Sequence, residues 1–156
     1  MQNSLSISVI VITRNRAEWL KDTLSSLASQ SRQPDEVILV DNASADHTKE
    51  VALSFSDKLN IKYIYEAKRG IPHARNTGVR QATGDIIASL DDDCIADENW
   101  LKYIEIPFIK NPNVGMVGGE ISYYTIGDGT VEKFYKENMI RRRRAKKQAH
   151  DNTDSL

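Results

Sequence analysis

Asp91, Asp92 and Asp93 stand together directly after a short apolar run, Asp85-Ile-Ile-Ala-Ser-Leu90. Two carboxylates about 4 Å apart repel by roughly 1 kcal/mol in water and roughly 4 kcal/mol near a protein surface. Such a cluster is costly without a cation or a hydrogen-bonded ligand. In an extended segment Asp91 and Asp93 point the same way and can share a divalent ion, Mg²⁺ or Mn²⁺. A solvated loop or a helix cap is the plainer account of the same residues. Asp41 closes a second apolar run, Glu36-Val-Ile-Leu-Val40, and has no metal-ligand spacing around it. It suits accepting a hydrogen bond from a base N–H or a ribose hydroxyl, or closing an Asx turn. Arg16 and Arg69 add the cationic groups that a phosphorylated ligand bridged by a metal would use.

These residues need elements to bring them together. Residues 7–12, Ile-Ser-Val-Ile-Val-Ile, read as a central strand, followed by the loop Thr13-Arg14-Asn15-Arg16. Asn15 and Glu18 have capping-box spacing, and Leu20, Leu24, Leu27 and Ala28 form a helical stripe. Residues 36–40 predict a second strand, and Ser44 or Asp46 can cap a short helix carrying Val51, Ala52 and Phe55. Residues 61–65 alternate like a strand near a sheet edge. Gly70 and Pro72 open a helix with Ile71, Ala74, Gly78, Val79 and Ala82 inward and Gly84 as its C′ residue. The strand before Asp91 reads as buried on both faces. Asp97 caps a helix bearing Trp100, Leu101, Ile104 and Phe108, bent at Pro107. Residues 114–117 and 121–125 are short strand candidates, and a last helix includes Val131, Phe134, Tyr135 and Ile140.

Strand and helix alternate at spacings that demand crossovers, so the expected fold class is α/β, an open, mostly parallel sheet with flanking helices. Ligands of such sheets bind beyond the carboxyl ends of the strands. Thr13, Asn15 and Arg16, then Asp41, then Glu66 with Arg69, then the three aspartates all fall at those ends. At 156 residues the chain suits one core. Lys plus Arg number 21 against 22 Asp plus Glu, and the net charge of -1 predicts no polyanion partner, nucleic acid included. Cys94 stands alone, which excludes an internal disulfide, suits a reducing compartment, and reads as a small buried hydrophobe. Trp19 and Trp100 read as packing residues. There is neither a Gly-x-x-x-x-Gly-Lys-Ser/Thr loop nor a Gly-x-Gly-x-x-Gly after the first strand, which disfavours P-loop hydrolysis and dinucleotide redox chemistry.

Taken in order, Thr13-x-Asn15-Arg16, Val40-Asp41-Asn42-x-Ser44-x-Asp46, Arg69-Gly70-Ile71-x-x-Ala74-Arg75-Asn76-x-Gly78, Gly84-Asp85-Ile86 and Leu90-Asp91-Asp92-Asp93 resemble the family 2 glycosyltransferases of the GT-A fold. The resemblance covers about residues 5–125 and implies a Rossmann-like nucleotide-diphospho-sugar-binding domain over 1–140, with a basic then polar tail over 141–156. It implies an inverting transfer from a nucleotide-diphospho-sugar, usually a UDP-sugar, to an acceptor hydroxyl, assisted by Mg²⁺ or Mn²⁺. By the same resemblance Thr13, Arg16, Asp41, Arg69, Asn76, Asp91 and Asp92 line the nucleotide-sugar site, and Asp91 with Asp93 holds the metal. The family's catalytic base lies downstream of this half, and its acceptor-binding segment is not recognisable here. Two other readings share the acidic site: a nucleotide-sugar-binding module without turnover, and a sugar-phosphate nucleotidyltransferase. The latter usually needs a Gly-rich basic loop, and Thr13-Arg14-Asn15-Arg16 has no glycine.

The block Arg141-Arg142-Arg143-Arg144-Ala145-Lys146-Lys147 has three accounts. It is a solvated terminus, a contact with an anionic membrane surface, or a nucleic-acid patch, the last without interleaved aromatics. With no signal-peptide pattern or membrane-spanning run, the expected location is cytoplasmic, or peripheral at the inner face of a membrane where lipid-linked or other carbohydrate acceptors would be met.

Overall fold

The computed structural model of the chain describes residues 4–119 and 121. Its units are Met1–Val117, considered below, and Gly118–Leu156, of which Gly118, Gly119 and Ile121 alone are described. The expected helix around Val131–Ile140, the basic block and the boundary at 140 lie outside the described residues.

Four parallel strands, β1 (Ile7–Thr13), β2 (Glu36–Asp41), β3 (Ile61–Tyr65) and β4 (Ile86–Asp91), form a sheet of order β3-β2-β1-β4. Four helices are interleaved with them: α1 (Ala17–Ala28), α2 (Thr48–Leu53), α3 (Ile71–Gln81) and α4 (Trp100–Lys110). The first two crossovers step outward from β1, and the third returns past β1 to place β4 on its other side. Right-handed crossovers running in opposite directions put their helices on opposite faces. Accordingly Leu20, Leu24 and Leu27 of α1, Ala52 of α2 and Leu101 of α4 pack with Val9, Val11, Val37 and Leu39 on one face. Ala74 of α3 packs with Ile10, Ile38 and Val40 on the other. Period-two alternation along β1 thus feeds both cores, and β1 becomes the point where the strand order reverses.

Several expectations need correction. Asn15 and Glu18 make no capping box: Asn15 has φ 53, Arg16 is the N-cap, and the Asn15 Oδ1 accepts from the Ala45 amide instead. Asp46 supplies the missing acceptor, taking the Ala17 N–H on Oδ2 and the Thr48 N–H on Oδ1, so one carboxylate serves the starts of α1 and α2. Ile71 and Val79 of α3 are exposed, because the helix lies over β1 and β2 with only Ala74 and Gly78 fully inward. For the same reason β4 is not buried on both faces: Ile87 and Ser89, on the face that α3 occupies further along the sheet, are exposed. Gly84 is not a left-handed helix end. A Cβ there would sit 2.7 Å from the Ser8 amide nitrogen, so the residue is small because the chain crosses β1 closely. Asn99, not Asp97, is the N-cap of α4, although Asp97 accepts the Asn99 and Trp100 amides. Residues 114–117 form no strand. Trp19 does not pack; it is 63% exposed.

Candidate functional site

Register decides which strand tips are neighbours. Thr13 pairs with Asp41 across β1 and β2, and Ile12 pairs with Asp91 across β1 and β4. With strands about 4.8 Å apart, β2 and β4 flank β1 at about 10 Å from each other, so the ends carrying Asp41 and Asp91 lie on either side of one strand tip. Thr13 is buried between them, and its hydroxyl oxygen has no hydrogen-bond partner among the described residues.

Asp41 is 3% exposed. Its Oδ1 accepts the Ser44 amide at 2.8 Å, the Asx turn foreseen as its plainer role, and its Oδ2 accepts the Tyr63 hydroxyl at 2.6 Å. Burial, and then the hydrogen bond and charge of Asp41, push the Tyr63 hydroxyl well above its ordinary value, so it remains a donor throughout the neutral range. Each Asp41 oxygen keeps a lone pair for an incoming N–H.

Beyond Asp91 the chain leaves the strand through a turn closed by the Cys94 amide donating to the Asp91 carbonyl at 3.1 Å. The turn, rather than an extended run, brings ligand atoms of Asp91, Asp93 and Cys94 within 4.8 Å of one another. Cys94 is half-buried rather than a core hydrophobe. Burial, then the charges of Asp93 and Asp91, push its thiol up and keep it protonated. The two carboxylates are the hard donors of the group and match what Mg²⁺ or Mn²⁺ takes from a protein.

Asp92 turns inward, 6% exposed, and meets Arg16. The Arg16 Nη1 donates to Asp92 at 3.1 Å and to Asp93 at 2.8 Å. The Asp92 charge strengthens the guanidinium's hold on its proton, against a smaller opposing effect of burial. Exposed ion pairs are worth about 0–1 kcal/mol, so the firmer brace is the one to the shielded Asp92. Helix α1 and Gln30, just past its end, fasten the rest of this segment. Thr23 Oγ1 donates to the Asp92 carbonyl at 2.9 Å, Ser26 Oγ accepts the Ala96 amide at 3.0 Å, and Gln30 Nε2 donates to the Asp97 carbonyl at 2.6 Å.

Arg69 is exposed in the loop between β3 and α3, near the tip of β2. Asn76 is exposed in the second turn of α3. A shallow hollow lined by Arg16, Trp19, Glu18, Asp46 and His47 lies at the start of α1; Asp41 and Asp91 do not line it. Sequence reasoning gave no role to Asn42, Tyr63 or Thr23. Their polar partners lie on other elements; Asn42 stands in the motif Val40-Asp41-Asn42-x-Ser44-x-Asp46, which gives it no task, and no local pattern marks Tyr63 or Thr23.

A family model described as Glycosyl transferase family 2 matches residues 8–155. Glycosyltransferase AglE of Haloferax volcanii is 36% identical over 153 residues, covering 90% of this chain and 50% of its own length. The chain therefore spans about half of that relative. The mannosyltransferase PcManGT of Pyrobaculum calidifontis, solved in complex with GDP-Man and Mn²⁺, superposes with a TM-score of 0.65 at 30% identity, over 71% of this chain and 34% of its own. TarS 1-349 of S. aureus in complex with UDP-GlcNAc gives a TM-score of 0.63 at 27% identity, over 75% and 37%.

Proposed function

The chain belongs to glycosyl transferase family 2, and from that premise we propose that its strand tips bind a nucleotide-diphospho-sugar, a UDP-sugar, for inverting transfer to an acceptor hydroxyl. The observation that carries this is the flanking of the β1 tip by Asp41 on one strand and the Asp91–Asp93 turn on the other. Both structural neighbours named above were solved with nucleotide-diphospho-sugars, one together with Mn²⁺.

In this reading Asp41 accepts the base N–H, with Tyr63 and Ser44 holding its carboxylate still. The Thr13 hydroxyl, unpartnered and buried beside it, faces the nucleoside. Asp91 and Asp93 hold Mg²⁺ or Mn²⁺, which supplies positive charge to the departing diphosphate. Arg16 and Arg69 add fixed positive charge where that negative charge develops. Asp92 acts on the nucleotide only through Arg16. Asn76, exposed on α3, is proposed to hold that helix rather than ligand. The carboxylate that takes the acceptor proton is assigned to none of the described residues. The acceptor is proposed to be a carbohydrate, free or lipid-linked, with Arg141 to Lys147 resting on an anionic membrane surface. Among the described residues no helix is long and apolar enough to cross a membrane.

Thermal unfolding with UDP tests the reading. A ligand at 100 times its Kd stabilises by about 2.7 kcal/mol, a shift of roughly 5 °C or more for a domain of this size. The expected result is that shift with Mn²⁺, its loss in chelator, and its loss in Asp93→Ala. No shift under any condition rejects nucleotide binding at this site, and a shift that survives chelation rejects the metal.

A further inference from the structure

We propose that Asn42 is the positioning residue that holds Arg69 at the diphosphate of the donor, an inference that rests on the function proposed above. Asn42 is 4% exposed, and its carboxamide spends all three of its hydrogen bonds on one loop. Its Nδ2 donates to the Glu66 carbonyl at 3.2 Å and to the Lys68 carbonyl at 2.8 Å, and its Oδ1 accepts the Gly70 amide at 2.7 Å. Two carbonyl partners and one N–H partner permit only one orientation of the amide. These contacts straddle Arg69, the one residue between Lys68 and Gly70. The loop is closed from its other side as well: Glu66 accepts the Lys68 amide at 2.8 Å and the Thr77 hydroxyl at 2.7 Å, tying the loop to α3. Gly70 then turns the chain sharply at φ 130, a conformation that side chains resist.

The Arg69 side chain is exposed, while its backbone is fixed relative to the tip of β2. Fixing the backbone beforehand removes the loop's share of the ordering cost that binding would otherwise carry. Asp41 and Asn42 are consecutive, so one end of β2 serves both ends of the nucleotide. Asp41 meets the base, and Asn42 carries the segment that meets the phosphates.

The test compares UDP with Mn²⁺ against uridine alone, titrated on the full chain. Asn42→Ala is expected to weaken UDP at least tenfold and to leave uridine within twofold, as Arg69→Ala also does. The double variant is expected to bind UDP within twofold of Arg69→Ala alone, because Asn42 acts through Arg69. Equal losses for uridine and UDP, or additive losses in the double variant, overturn the inference. If Asn42→Ala does not fold, Asn42→Asp keeps the acceptor for the Gly70 N–H and lacks both donors. Trypsin cleavage after Lys68 and Arg69 is then expected to be at least fivefold faster than in the wild type, and equal rates overturn the inference without any ligand. A wild type that fails to bind UDP rejects the reading of the site itself. A wild type that binds UDP with Asn42→Ala unchanged rejects only the role of Asn42.

Discussion

Asp41 is a buried carboxylate with donors already on both oxygens, and this decides what its replacement would do. Asp41→Asn keeps the volume but turns one end of the group into a donor, which then faces either the Ser44 amide or the Tyr63 hydroxyl, and it leaves the base N–H one acceptor oxygen instead of two. A lost hydrogen bond to a charged group costs about 1.5–3 kcal/mol, so UDP affinity is expected to fall roughly 10- to 100-fold by calorimetry. Unchanged affinity would remove Asp41 from the base. The position of Asp41 was legible, since an apolar run ending in an acid places that acid at a strand tip. Tyr63 was not. It lies 22 residues away and reaches Asp41 only because β2 and β3 pair in the register that puts Leu39 beside it. Asp92 shows the opposite case. Three equal letters in a row gave no sign that the middle one turns inward to Arg16.

Helix starts are where local signals were weakest. Asn15 had the right type and spacing to cap α1, yet its positive φ aims its side chain at the loop after β2, and Asp46 caps from there. A stripe of apolar residues likewise fixes a helix face without saying how many strands it covers, and so Val79 was read inward while α3 leaves it exposed. Asp46 joins two helices and its charge carries a pH signature. Burial raises its carboxyl, but hydrogen bonds from the Thr48 hydroxyl, the Ala17 amide and the Thr48 amide outweigh this and hold it below the ordinary range. A carboxyl depressed in the fold stabilises above its unfolded value, and that contribution is lost as pH falls through the folded one. Asp46→Ala is therefore expected to cost about 0.5–1 kcal/mol at pH 7, discounted for its exposure, and less below pH about 4. Urea unfolding of both proteins at pH 7 and pH 3 checks this, and an undiminished difference at pH 3 would refute it.

On the scale of the whole molecule, alternation of strands and helices was enough to read a parallel α/β sheet, because apolar density ranks strands by depth. It could not rank β4, whose Ile-Ile start looks central while its second face is open over Ile87 and Ser89. The sheet predicts a gradient of stability: β1 and β2 are paired on both sides, β3 and β4 on one among the described residues. Amide exchange is expected to be slowest at residues 9–11 and 37–39 and faster at residues 61–65 and 86–91. Uniform protection across all four strands would contradict it. The one-residue offset in the two registers has a last consequence. Asp41 shares the Thr13 side of the pleat and Asp91 shares the Ile12 side, so their side chains leave from opposite surfaces of the sheet. A molecule that touches both must straddle the rim like a saddle over a ridge, with Thr13 beneath its middle. A short inhibitor can sit on one flank only, and potency should rise abruptly once a compound is long enough to reach over the crest.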